Sequence, residues 1–415
     1  MYSTPRGTAD ILPEEQSYWR YIEQKAAHIC QLYGYERLET PIFEDTRVFV
    51  KSAGDTTDVV QKEMYTFDDR GGNSLTLKPE GTAAICRAYL EHGMQNLPQP
   101  VRLFHISPFF RYERPQAGRY RQYYQFGCEA IGETDAFLDA EMIDMAWQFM
   151  SSLGLCQISL YINSIGCPVC RPNHLKALRE FYTKHVDKLC PDCKVRLEKN
   201  ALRLLDCKQA GCQQIVNQAP KSIDYLCSDC AGHFEQLKNY LDILKIPYEV
   251  NQRLVRGFDY YTRTVFEIQP EEEKSQSALG GGGRYDGLIE TLGGKPTPGI
   301  GFGLGIDRII LNLKKQNITI PPVPVPHVFI AYFGNQARNE AMKLTALLRR
   351  KGIGVISATS PKSLKAQMRQ ANSLKISQVV IIGDDEVRDG TAILRDMNSS
   401  NQTTVKLSEL PDLFK

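Results

Sequence analysis

The sequence predicts an α+β protein: an antiparallel or mixed sheet, a helical cysteine-rich insertion within it, and a separate C-terminal α/β unit. Three observations carry this. Residues 110–129 read as a hairpin, residues 167–235 hold eight of the twelve cysteines, and the run Pro321-Pro322-Val323-Pro324-Val325-Pro326 precedes a regular alternation of strand and helix. The implied division is 1–166 and 251–320 as two parts of one domain, 167–250 as the insertion, 321–326 as a stiff linker, and 327–415 as the last unit.

The elements follow in order. Tyr18, Ile22, Ala26, Ile29 and Tyr33 recur at helical spacing over 14–33 and stop at Gly34. Tyr35 to Phe43 reads as extended, with Pro41 confining it to a sheet edge or rim. Leu75–Leu77 and Val101–Ile106 are further strands, and Phe137 to Met150 is a helix with Phe137, Met142, Met145 and Phe149 as its apolar stripe. In the hairpin the outgoing strand alternates Phe110 and Tyr112 with Arg111 and Glu113. The return strand alternates Tyr124, Phe126 and Cys128 with Gln125, Gly127 and Glu129. Strand side chains take opposite faces in turn, so one face is apolar and the other gathers Arg, Glu and Gln. A wet outer face is the plain reading, yet acids and amides are poor strand formers and their convergence points to a binding surface. Beyond the linker, Val328–Ile330, Gly354–Ile356 and Val379–Ile382 read as strands around helices at Glu340–Arg350 and Leu364–Ala371, giving a partly parallel sheet.

Composition bounds the function. The 415 residues are 42% apolar and 24% charged with net charge +2, so no global field marks a polyanionic partner and a nucleic-acid surface would be local. Met1 leads into Tyr2-Ser3-Thr4-Pro5 without a signal pattern, and no apolar run approaches the roughly 18 residues of a membrane span. The expectation is a cytoplasmic protein without a membrane partner, whose cysteines are reduced thiols or metal ligands.

Several motifs bear on chemistry. Gly299-Ile300-Gly301-Phe302-Gly303-Leu304-Gly305 bares one face of a strand, so that a flat ring can lie against backbone. Arg308 follows in the first turn of a helix, where a cation opposes the dipole and a bound anion would account for it. Gly280-Gly281-Gly282-Gly283 is either a flexible loop or a backbone that approaches a ligand closely. Glu80, after a strand, either caps the coming helix or binds a substrate amine. The cysteines form Cys167/Cys170, Cys190/Cys193 and Cys227/Cys230 pairs of C-x-x-C type, plus Cys207/Cys212. Any two pairs can make one tetrahedral four-thiolate site for structural Zn2+, one or two sites in all with the pairing open; reduced thiols packed in a helical insertion is the alternative. A closed thiolate shell has no position for catalytic water.

On these residues the chain resembles the class II aminoacyl-tRNA synthetases, and within them the bacterial-type histidyl-tRNA synthetases. Arg6–Pro13, Tyr33-Gly34-Tyr35 through Pro41 (motif 1), Phe110 to Glu129 (motif 2) and Gly301 to Arg308 (motif 3) carry the likeness. So does Arg256-Gly257-Phe258-Asp259-Tyr260-Tyr261-Thr262, which is similar to the histidine-specific motif with Phe258 where Leu is usual. No H-I-G-H or K-M-S-K-S stretch of class I occurs. The resemblance implies activation of L-histidine by ATP with Mg2+, transfer to tRNA(His), and a homodimer. It implies Arg111, Arg256 and Arg308 as catalytic cations and Arg111, Glu113, Arg121 and Arg308 around ATP. Glu80, Thr82, Gln125, Glu129, Arg256, Tyr260, Tyr261 and Tyr285 would hold histidine, with Glu129 ionised beside the imidazole. Gln116 and Arg119 would reach the tRNA acceptor end, and the C-terminal unit would bind the anticodon, with Lys362, Lys365, Arg369 and Lys375 as its basic surface.

Two other classes compete. A regulatory subunit of ATP phosphoribosyltransferase shares the catalytic fold, but usually lacks an intact histidine-specific motif and the C-terminal domain. A zinc-organised nucleic-acid-binding protein built on 167–235 leaves the Arg/Glu/Gln hairpin face without a purpose. The insertion is expected to grip the tRNA acceptor arm and to be dispensable for activating the amino acid.

Overall fold

Helix α1 (Gln16–Tyr33) buries Ile22, Ala26 and Ile29 and ends where Gly34 adopts a left-handed backbone (φ 73°). The protein is described by a computed structural model covering residues 2–54, 57–271, 278–360 and 362–414. The extended run expected from Tyr35 to Phe43 is two short strands, β1 (Glu36–Arg37) and β2 (Phe43–Asp45), which belong to different sheets and part around Pro41. Proline has no N–H for a continuing ladder. β2 joins β3 (Tyr65–Asp68) and β4 (Ser74–Leu77) in a small antiparallel sheet, with α2 (Thr46–Ala53) between β2 and β3.

The main sheet begins with β1 at its edge. It adds β5 (Val101–Phe110), β6 (Gln122–Ile131), β7 (Ile158–Ser164), β8 (Glu249–Val250), β9 (Thr262–Pro270), β10 (Gly280–Arg284) and β11 (Gly299–Gly305), in the order β1-β5-β6-β11-β10-β9-β7-β8. The six central strands pair antiparallel, while β1 and β8 run parallel to their neighbours. Chain on both sides of the insertion thus builds one sheet. One face packs on α1, α4 (Ala136–Ser152) and α10 (Ile306–Lys315) through Phe126, Cys128, Phe266, Ile300, Phe302 and Leu304. Helix α3 (Thr82–Glu91) precedes β5.

Three expectations change. The outgoing hairpin strand ends at Phe110, so Arg111, Tyr112 and Glu113 lie in the connection and Tyr112 is exposed. The chain departs there because the Tyr112 N–H turns to the Glu63 carbonyl, although Arg111 N–H still meets the Arg121 carbonyl at 2.9 Å. Gly280–Gly283 is neither loop nor turn but a central strand, β10, hydrogen-bonded on both sides. Phe137 sits on the outer side of α4, edge-on to Tyr240, while Met142, Met145 and Phe149 fill the core.

The insertion carries α5 (Arg171–Thr183), α6 (Pro191–Lys199), α7 (Ala210–Val216) and α8 (Ser228–Leu244). Leu178, Tyr182, Leu204, Ile215 and Val216 make its own small core. Its last helix, α8, puts Phe234, Leu237 and Leu241 into the main core against α4. A buried cluster fastens this junction: Asp139 accepts from Arg284 (2.7 Å) and His233 (2.8 Å), all three away from water. Helix α9 (Leu288–Thr291) follows β10.

The chain divides at Pro321/Pro322, within the expected linker. The second unit is a five-stranded sheet ordered β13-β12-β14-β15-β16, from β12 (Val328–Phe333), β13 (Val355–Ser357), β14 (Gln378–Gly383), β15 (Thr391–Asp396) and β16 (Gln402–Lys406). The first three strands are parallel and the last two antiparallel. Helices α11 (Asn335–Arg350) and α12 (Leu364–Ser373) complete the parallel crossovers, and Ala337, Leu344, Leu348 and Ala371 seal them on the sheet. Among the described residues no helix is long and apolar enough to cross a membrane.

Candidate active site

The opposite face of the main sheet forms the base of a cleft of about 510 Å³. Register explains its chemistry. Gln125, Gly127 and Glu129 of β6 pair with Ser107, His105 and Leu103 of β5, and on the other side with Gly305, Gly303 and Gly301 of β11. Gly303 and Gly301 pair in turn with Gly281 and Gly283, and Gly281 with Glu267. The middle of this face therefore has no side chains of its own. Neighbouring side chains fold over it instead: a Cβ on Gly301 would strike the Glu129 carboxylate, one on Gly299 the Tyr285 ring, and one on Gly303 would lie 3.2 Å from Gln125 Nε2. The glycines at 299, 301 and 303 are thus accounted for by close approach.

Two buried acids stand at one end. Glu129 is 2% exposed; its Oε1 accepts from the Thr82 hydroxyl (2.7 Å) and its Oε2 from the Tyr285 hydroxyl (2.6 Å). Burial pushes its pKa up to about 8, more than those two hydroxyls pull it down. Burial therefore favours the protonated form of Glu129 at neutral pH. Glu80 accepts from the backbone N–H groups of Thr82 (2.7 Å) and Ala83 (2.9 Å), so it caps α3, and from Tyr260 Oη at 3.4 Å. Burial raises its pKa too, against those N–H bonds. Tyr260 stacks on Phe258 with centroids 5.2 Å apart, and Tyr261 lies beneath the Arg256 guanidinium.

The three expected cations line the same cleft. Arg111 donates to the Pro79 carbonyl (2.9 Å) and lies between the rings of Tyr123 and Phe258. Arg256 pairs with Glu267 at 2.7 Å, and its Nε is buried with no partner among the described residues. Among the described residues Arg308 pairs with no carboxylate; its Nε and Nη1 donate to the carbonyls of Gly118 (3.0 Å) and Ala278 (2.6 Å). Burial, and then Arg119, lower its pKa, so an anion would relieve it. Glu113 lines the cleft in an ion pair with Arg119 at 2.9 Å.

Two expected residues stand apart from this lining. Arg121 stacks on Tyr112 at 3.7 Å and donates to the Glu113 carbonyl, with Gly7 packed against its stem. Gln116 closes the tip of the hairpin connection through paired backbone bonds with Arg119. Both follow from the early end of β5, which turns the connection out of sheet geometry. Conversely, His105, Tyr123, Glu267 and Gln269 line the cleft without having been singled out. Burial pushes His105 down to about 3 and keeps it neutral. Strand parity was a usable signal: Glu267 and Gln269 alternate with the core residues Phe266 and Ile268.

The eight insertion cysteines fall into two groups, Cys167/Cys170/Cys227/Cys230 and Cys190/Cys193/Cys207/Cys212, each with all sulfurs within 4.8 Å. The pairing left open by the sequence is thereby resolved. The insertion also reaches the cleft, with Asp206 and Lys208 among its lining residues. Arg203 donates to the Arg256 carbonyl (3.2 Å), Asn200 to Asp259 (2.7 Å) and Arg171 to the Tyr261 carbonyl. The insertion thus shares hydrogen bonds with the backbone and side chains of the 256–261 segment.

A histidyl-tRNA synthetase family model matches residues 7–309, and an anticodon-binding-domain model matches 327–415. A histidine–tRNA ligase of Dehalococcoides mccartyi is 58% identical over 410 residues, covering 99% of this chain and 98% of that one. The apo histidyl-tRNA synthetase of S. aureus superposes with a TM-score of 0.84 at 38% identity over the full length of both chains. A Bacillus halodurans protein described as an ATP phosphoribosyltransferase regulatory subunit/histidyl-tRNA synthetase has a TM-score of 0.66 at 23% identity, over 92% of this chain and 98% of that one, a likeness of fold alone. With the bare sheet face, the paired acids and the three arginines in one cleft, these matches leave no ambiguity of kind: the chain belongs to the histidyl-tRNA synthetase family.

Proposed function

We propose that the protein is an ATP-dependent ligase that activates L-histidine to histidyl-adenylate and transfers the histidyl group to the 3′ end of tRNA(His), releasing pyrophosphate and then AMP. The observation that carries this reading is the meeting of Arg111, Arg256 and Arg308 with the buried acids Glu80 and Glu129 in a single cleft.

In the first step a carboxylate oxygen of histidine attacks the α-phosphorus of ATP and the bond to pyrophosphate breaks. Negative charge spreads over the phosphoryl oxygens, and fixed cations stabilise it where it develops. Arg111 and Arg256 serve the α-phosphate and the substrate carboxylate. Arg308, supplied with carbonyl partners alone among the described residues, serves the outer phosphates, and Glu113 lies toward the adenine. Mg2+ accompanies the ATP and neutralises phosphate charge. In the second step a hydroxyl of the terminal adenosine attacks the carbonyl carbon, and AMP leaves with the bonding electrons. Arg119 and Gln116, on the hairpin connection, face the acceptor end.

Selection of histidine falls to groups that must be paired when buried. Glu129, with Thr82 and Tyr285 on its two oxygens, meets one imidazole nitrogen, and Tyr261 the other. Ionised against the ring, Glu129 favours the imidazole's charged or strongly donating form. Glu80, Thr82 and Gln125 hold the α-amine, and Tyr260 closes the side. Motif 1 and the exposed edge strand β1 support a homodimer acting in the cytoplasm. The exposed Lys362, Lys365, Arg369 and Lys375 give the C-terminal unit its surface for the anticodon stem.

Pyrophosphate exchange run with each of the twenty amino acids tests the reading. Exchange is expected with histidine alone, and Arg256→Ala should abolish it while the circular-dichroism spectrum stays unchanged. Exchange driven by another amino acid, or near-normal exchange in the variant, would remove the assignment.

A further inference from the structure

We propose that the two cysteine groups are closed four-thiolate Zn2+ centres, and that they hold the Arg256–Tyr261 backbone in place at the cleft. The second half of the proposal rests on the reading of that cleft as a histidine site; the first half does not.

The donor geometry fits. Four ligands at about 2.3 Å around a tetrahedral zinc lie about 3.8 Å from one another. In the first group Cys167–Cys170, Cys170–Cys230 and Cys167–Cys227 sulfurs are 3.7, 3.8 and 3.9 Å apart, and in the second Cys190–Cys207 is 3.8 Å. Reduced thiols have no reason to converge in fours at that spacing. Cys170, Cys190 and Cys227 each stand at the N-cap of a helix, α5, α6 and α8, where the dipole favours an anion. Backbone N–H groups of Cys167 and Cys190 approach Cys170 and Cys212 sulfurs at 3.3 Å, as supporting donors to a thiolate. Neither group lines the cleft, so no redox task selects iron, and the closed shells suit structural zinc. Each thiol releases its proton to solvent on binding.

Position gives the centres a purpose. Residues 251–261 are almost without regular structure, so few ladder bonds fix the residues that carry Arg256, Tyr260 and Tyr261. Their anchors come from the insertion. Arg171, which holds the Tyr261 carbonyl, directly follows the ligand Cys170. Asn200 and Arg203, which hold Asp259 and the Arg256 carbonyl, lie in the span between ligands Cys193 and Cys207. The first centre closes a loop from 167 to 230 and the second a loop from 190 to 212, so each metal fixes one set of anchors.

Metal analysis of the full-length protein, purified without chelator, decides the first half: two zinc ions per chain are expected. Cobalt substitution should give the visible bands of tetrahedral thiolate coordination. The double variants Cys167→Ser/Cys227→Ser and Cys190→Ser/Cys207→Ser should each retain one zinc. Iron, or no metal with all twelve thiols titratable in denaturant, would overturn it. Arg203→Ala decides the second half without touching a ligand. It should keep both zinc ions and raise KM for histidine in the exchange reaction about tenfold, the order expected for loss of a supporting contact. An unchanged KM would refute the coupling. Two zinc ions in a protein that activates no amino acid would leave the centres standing and sink the reading of the cleft instead.

Discussion

In the proposed reaction, Glu129 is the side chain on which selection of the ring turns. Replacing it by Gln preserves its shape and an acceptor for the Thr82 or Tyr285 hydroxyl, but removes the proton it holds. The loss of one buried charge-assisted hydrogen bond, about 1.5–3 kcal/mol, should raise KM for histidine about 10- to 100-fold, measured by pyrophosphate exchange. The same residue sets a pH dependence. Its pKa lies near the usual 4.5 when unfolded and is pushed up to about 8 when folded. Between those values the native state keeps a proton that the unfolded state has lost, so stability falls as pH rises through that window. Burial of Glu80 acts in the same sense. Denaturation midpoints of the ligand-free protein should therefore decline from about pH 5 to about pH 8, and less steeply in Glu129→Gln; an equal slope in both would rule out this titration. Reading residues from sequence worked where the local pattern was enough. The parity of Gln125, Gly127 and Glu129 gave their common face, and the 256–262 motif gave Arg256, Tyr260 and Tyr261. It failed for His105, whose place depends on a register with Gly127. It failed also for Arg121, whose direction depends on where β5 stops.

Among elements, β10 and β11 depart furthest from ordinary strand chemistry. Gly280–Gly283 has neither branched nor aromatic residues, and strand propensity argues against it. Its ladder is imposed from both sides, by the apolar β9 and by β11, and only the assembled sheet makes that visible. For the same reason the spacing of 299–305 was legible as a bare face, while what covers that face was not. Gly301→Ala is the direct test. The added methyl would meet the Glu129 carboxylate and lie 2.7 Å from the Cys128 carbonyl, one of which is backbone and cannot yield cheaply. The expected cost is about 1–3 kcal/mol in unfolding free energy, with weakened histidine binding seen by calorimetry. A variant as stable and as tight as the parent would contradict the packing described.

At the scale of the whole molecule, the proline run marked the division that the coordinates place at Pro321/Pro322. Each unit has its own core, so chain ending at Pro321 should fold and retain histidine-dependent pyrophosphate exchange. It should lose most charging of tRNA(His), followed by attachment of labelled histidine to the nucleic acid. Loss of both activities would mean that the units are not separable in function. The sequence did not disclose that α8 belongs to the principal core or that the insertion grips 256–261, because both depend on pairings across 50 residues or more, such as His233 with Asp139 and Arg203 with Arg256. The uncluttered sheet beneath the ligand also constrains redesign. Backbone already forms the lower boundary, so no substitution there can deepen the cavity, and every addition makes it shallower. A broader range of amino-acid analogues must therefore be sought by trimming Tyr285, Tyr260 or Phe258, the rings that enclose the space from the sides.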